Sequence, residues 1–107
     1  MAHVIKTVVL PDGALASRKN AIPYRQEILQ ILSENSDGLV NIDLKGVKTI
    51  SGSFADECIG VLVMQIGFEN LIKRIKLING SQNVVRSIAD AINIRKNIKK
   101  PTSKWAR

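Results

Sequence analysis

Apolar and polar residues alternate with two different periods along this chain, and the switches between them outline its elements. Val4 to Leu10 is rich in β-branched residues and stops at Pro11-Asp12-Gly13, a turn signal. Tyr24, Ile28, Ile31 and Leu32 then recur at helical spacing, with Arg25, Gln26, Glu27 and Gln30 largely facing away from them. Ser17 and Asn20 are both candidate caps for this helix. Asn20 is expected, because it leaves Pro23 in the first turn, where a missing N–H is harmless. Asn35 to Gly38 ends the helix. Val40, Ile42 and Leu44 next alternate with Asn41 and Asp43, the period of a strand with one face against a core. Lys45-Gly46 interrupts that strand, Val47 to Ile50 resumes it, and Ser51-Gly52-Ser53 delivers the chain to Phe54. Helical spacing then runs to about Phe68, with Ser53 expected as the N-cap. Asp56 and Glu57 fall in the first turn, where the helix dipole favours carboxylates. A strand over Ile72–Ile78 follows. A helix bearing Val84, Val85, Ile88, Ala91, Ile92 and Ile98 completes the pattern, with Pro101 ending it.

Elements in the order β-α-β-(β)-α-β-α predict an α/β fold, with a mixed, mostly parallel sheet flanked by three helices. Ile42, Leu44, Ile59, Leu62, Ile75, Leu77, Ile88 and Ile92 are the expected core. At 107 residues and 45% apolar content the chain makes one domain, and with only 4% aromatics that core is aliphatic. The domain is expected over residues 1–100, followed by a basic, flexible tail over 101–107, and deleting Thr102 to Arg107 is expected to leave the fold intact.

Charge sharpens the reading of that tail. The net charge is +7, from 16 basic and 9 acidic residues. Six of the basic residues lie from Arg95 onward with no acidic residue among them, so the rest of the chain holds ten against nine. The excess is terminal, as in a solubilising end. Its rival is a nucleic-acid contact through Lys96, Lys99, Lys100, Lys104 and Trp105, with the indole stacking on a base.

Catalysis finds little material here. His3 is the only histidine, so a histidine-based triad or metal site lacks a second member. Cys58 is the only cysteine and sits on the apolar side of its helix, as a small buried hydrophobe. Asp56 and Glu57 are adjacent, hence about 100° apart on a helix, and do not form a catalytic pair. No cofactor is called for. A lone cysteine and the lack of a long apolar run fit a cytoplasmic protein.

The helix from Phe54 is apolar on more than one side. Ala55, Ile59, Leu62 and Ile66 form one stripe, while Asp56, Gly60, Met64 and Gly67 recur on another face that is short of charge. That face is either packed in the interior or a docking surface with close backbone approach.

The stretch from Val40 to Glu57 resembles the STAS-like family, small bacterial relatives of the sulfate-transporter and anti-sigma-factor-antagonist fold. The likeness rests on Val40, Ile42 and Asp43, then Gly46-Val47, Ile50-Ser51-Gly52-Ser53 and Phe54-Ala55-Asp56-Glu57. It implies a non-enzymatic, regulatory protein-interaction module, docking a histidine-kinase-type ATPase through Ser51, Gly52, Ser53, Asp56, Gly60 and Met64. Antagonists of this fold carry Asp-Ser-Ser-Gly at this loop and are phosphorylated on the first serine. In an ungapped match that acceptor position falls on Gly52, and Ser51 occupies the aspartate position. Ser53 matches the second serine, so Ser53 and then Ser51 are the candidate phosphoacceptors. For Ser53 the plainer role is a helix cap.

Overall fold

The computed structural model describes residues 5–98. The expected tail over 101–107, with Lys104 and Trp105, lies outside the described residues, as do Lys99, Lys100 and His3. The elements are β1 (Ile5–Val9), β2 (Gly13–Leu15), α1 (Arg18–Glu34), β3 (Leu39–Asp43) and β4 (Val47–Ile50). After them come α2 (Gly52–Ala55), a π turn (Asp56–Gly60), α3 (Val61–Ile66), α4 (Phe68–Arg74), β5 (Ile75–Ile78) and α5 (Gln82–Lys96).

The α/β architecture is as the pattern predicts. β3 lies between β1 and β5, with Val8 opposite Ile42 and Ile42 opposite Leu77. β2 and β4 form a second, two-stranded ladder, in register from Leu15–Ile50 back to Gly13–Val47 across one bulge. Every ladder among the described residues is parallel. α1 supplies the long crossover that a parallel β1–β3 pair requires. The core lies between the sheet and the helices. Val8, Val40, Ile42, Leu44, Phe54, Ile59, Leu62 and Ile88 are essentially inaccessible. Of the expected core, Ile75, Leu77 and Ile92 are only half-buried, packed against its margin. No helix among the described residues is long and apolar enough to cross a membrane.

Four local expectations are corrected. The cap of α1 is Ser17, whose hydroxyl accepts a hydrogen bond from the Asn20 amide, so Pro23 sits inside the helix. The helix tolerates it because Ala21, Ile28 and Leu32 bury one face, and tertiary packing outweighs a lost hydrogen bond. Ile72 belongs to α4 and is exposed, so β5 begins only at Ile75. α4 is a further short helix beyond the three expected. It exists because Gly67 adopts φ 91°, a left-handed conformation that stops α3 and lets the chain turn. The last correction concerns the helix cap at the serine loop. Ser51, not Ser53, is the N-cap, its hydroxyl accepting from the Phe54 amide at 3.0 Å.

Arg74, at the end of α4, ties these layers together. Its guanidinium donates to the carbonyls of Gly38 (2.9 Å), Leu32 (2.9 Å) and Asn35. One side chain thereby satisfies carbonyls that the end of α1 leaves without intrahelical partners.

Candidate functional site

The loop at the end of β4 is rigid at its base and open at its tip. The Ser51 amide donates to the Leu15 carbonyl at 2.8 Å and its carbonyl accepts from Ala55 at 3.0 Å, so both backbone groups and the hydroxyl are engaged. Phe54 is buried beneath the loop, its ring tilted 39° to that of Tyr24 at 6.4 Å. Gly52 and Ser53 are exposed, and a Cβ on Gly52 would meet nothing within 4 Å. Of the candidate phosphoacceptors, Ser53 is thus presented to solvent, while Ser51 is spent on the cap.

Asp43 closes the neighbouring turn. Its Oδ1 accepts from the Lys45 amide (3.0 Å) and from Asn79 Nδ2 (3.1 Å). The Asn79 hydrogen bond first, and the Lys45 one second, hold its carboxyl below the usual range.

Behind the loop lies a five-membered charge cluster. Three consecutive residues of the π turn, Cys58, Ile59 and Gly60, are buried, because the turn is sandwiched between α1 and α5. Its two carboxylates meet arginines from both helices. Arg95 grips Asp56 bidentately, Nε to Oδ1 at 2.8 Å and Nη2 to Oδ2 at 2.7 Å. Arg18 reaches Asp56 at 2.6 Å and Glu57 at 3.3 Å, and Arg25 donates to Glu57. The Asp56 side chain is only 13% exposed. Arg95 first, and Arg18 after it, pull the Asp56 carboxyl below its ordinary range against the opposing effect of burial. Asp56 in turn raises both guanidinium groups. Burial pushes the Cys58 thiol up to about 12, so the sulfur is an inert packing atom.

An open groove of about 630 Å³ runs from this cluster along α5. Arg18, Ser53 and Asp56 line one side, and Asp90, Ile94 and Arg95 the other. Ile94 is 63% exposed and Ile98, at the groove's end, 44% exposed.

Gly52, Ser53 and Asp56 are therefore brought together at one end of the groove, while Ser51 sits beneath them as the cap and does not line it. Gly60 is not part of any surface: it is buried, and a Cβ there would lie 3.2 Å from the Ala91 carbonyl of α5. The glycine serves close helix packing, so the interior reading holds at that position. Met64 is exposed and lies with Gly67, Phe68 and Lys96 along a second groove that shares Arg95 and Ile98 with the first. Lys96, one of the expected nucleic-acid contacts, sits over the Phe68 ring at 4.2 Å. Arg95 and the exposed Ile94 were not among the expected site residues. Arg95 reads in the sequence as the start of a basic terminus, and only the packing of α5 reveals its partner. Ile94 reads as one more apolar residue of a helix.

No curated protein and no solved structure matches the chain. Residues 22–85 match the family described as a STAS-like domain of unknown function (DUF4325). That span holds the β3–β4 unit, the serine loop and the charge cluster's two carboxylates, and the chain belongs to this STAS-like family.

Proposed function

We propose that this protein is a non-enzymatic regulatory module that docks a protein partner through the serine loop and the groove beside it. The observation that carries this reading is the pairing of an exposed, hydroxyl-bearing loop tip with an unfilled groove flanked by exposed Ile94 and Ile98. Exposed aliphatic residues at the rim of a groove supply an apolar anchor, and the polar loop supplies specificity. The implied partner is a histidine-kinase-type ATPase, the class with which related domains work. A negative charge placed on Ser53 would stand at the mouth of the docking surface and oppose an apolar or acidic contact.

The test is affinity capture of tagged protein from its native cell, with mass spectrometry of bound proteins and of Ser53. Wild-type protein should retain a histidine-kinase-type ATPase. Ile94→Glu should cut that retention by about ten-fold or more, as charging an apolar anchor does, and its circular dichroism should match the wild type. Failure of any such ATPase to bind, or equal retention by Ile94→Glu, overturns the proposal. Loss of binding by Ser53→Asp but not by Ser53→Ala identifies the added charge as the switch.

A further inference from the structure

β1 is an edge strand. Among the described residues it pairs with β3 on one side only, and Ile5, Lys6, Thr7 and Val9 are all exposed. In a parallel ladder each residue turns both its N–H and its C=O to the same side, and successive residues alternate sides. The Leu10 amide donates to Asp43, so Lys6 and Val8 also face β3. The backbone groups of Ile5, Thr7 and Val9 therefore point to the open edge. An edge of this kind is a template for another strand unless it is blunted by proline, by a bulge, by charge or by shortness. β1 has five residues, no proline and a continuous register. Its one charge, Lys6, alternates away from the Ile5-Thr7-Val9 row. The opposite edge of the sheet is less available. The Leu44 amide donates to Ile78, which leaves Ile75 and Leu77 facing outward, and both are half-buried.

We propose that β1 is a homodimer interface, in which a second copy of this chain pairs antiparallel along the open edge with Thr7 on the two-fold axis. The sequence of the strand is self-complementary in that register. Thr7 faces Thr7 of the second copy, and each Ile5 faces a Val9. All three pairs are of the hydrogen-bonded type, because those residues carry the outward backbone groups. Ile5 is 59% and Val9 60% exposed in the single chain, and as cross-strand neighbours each covers the other with β-branched surface. Such an interface is isologous and closes on itself, which limits assembly to two copies. It joins the two three-stranded sheets into one of six. No β1 residue lines the α5 groove, so pairing along the β1 edge does not use its lining.

Sedimentation equilibrium of the full chain, with Val9→Lys and Thr7→Cys variants, tests this. Wild type should be dimeric at about 100 µM, and Val9→Lys should weaken the dimer by about ten-fold or more, since a charge then replaces the apolar partner of each Ile5 and blunts the edge. Under oxidation, Thr7→Cys should form a disulfide-linked dimer. Hydrogen-bonded pairs place their Cα atoms about 5.5 Å apart, within disulfide range. Wild-type protein, whose only thiol is buried on Cys58, should not cross-link. A wild type that stays monomeric, a dimer that Val9→Lys leaves intact, or a dimer whose Thr7→Cys thiols do not join would each overturn the proposal.

Discussion

Replacing Asp56 by Asn keeps the shape of the side chain and removes its charge, so it isolates what the charge cluster contributes. Asn can accept with one oxygen, but its NH₂ must face a guanidinium. Arg95, already partly buried, is then left without its bidentate partner, and Arg18 loses its shorter contact. Charge-assisted hydrogen bonds contribute about 1.5–3 kcal/mol each when removed. The Arg18 side chain is half in solvent, so water screens its contact and the Arg95 pair carries most of the effect. The expected loss is therefore about 2–3 kcal/mol at pH 7, below the 3–5 kcal/mol typical of a fully buried pair (roughly). Its pH dependence has a definite sign. The folded-state carboxyl of Asp56 is depressed, so its contribution is present above the unfolded value of about 3.9 and disappears as pH falls through the folded one. Urea denaturation of wild type and Asp56→Asn at pH 7, and again near pH 3, reads both quantities. The two curves should separate at neutral pH and converge in acid. A difference under about 0.5 kcal/mol at pH 7, or one that does not shrink in acid, would refute the reasoning.

Other substitutions separate packing from the surface. Leu62→Ala, at an inaccessible position, should cost about 2–5 kcal/mol in chemical denaturation through lost burial and a residual cavity. Ser51→Ala should cost about 0.5–2 kcal/mol because it removes the cap, whereas Ser53→Ala should leave the melting curve unchanged. Equal losses for the two serines would contradict the observed cap. Gly52→Ser should fold with stability within about 0.5 kcal/mol of wild type, since a side chain there meets open space and the backbone is not left-handed. A purified kinase that phosphorylates Gly52→Ser but not wild type would show that the wild-type chain lacks only the hydroxyl.

Much of this molecule is already written in its order of residues. The alternation through Val40, Ile42 and Leu44 placed β3, and helical spacing placed α1 and α5, because both periods are local consequences of backbone geometry. The motif from Val40 to Glu57 pointed to the family for the same reason: it is contiguous. Caps were less legible. Ser17 and Asn20, or Ser51 and Ser53, have nearly equal intrinsic capping tendencies, and the choice between them depends on where packing anchors Ala21 and Phe54.

What the sequence alone could not decide was which surfaces meet. The apolar face carrying Gly60 and Met64 reads equally as interior or as docking surface, since periodicity reports a face but not its neighbour. The structure divides it, burying Gly60 under Ala91 and leaving Met64 exposed. Arg18, Arg25 and Arg95 are similarly indistinguishable in the sequence from solvated cations. Single contacts in their assembly around Asp56 and Glu57 bridge up to 39 residues of chain, and the assembly exists only because a π turn sits between α1 and α5. Local sequence determined the elements and the serine loop, through short-range backbone preferences. Tertiary packing decided the groove, the charge cluster and the open β1 edge, because each is defined by segments that the chain brings together, or leaves apart, only on folding.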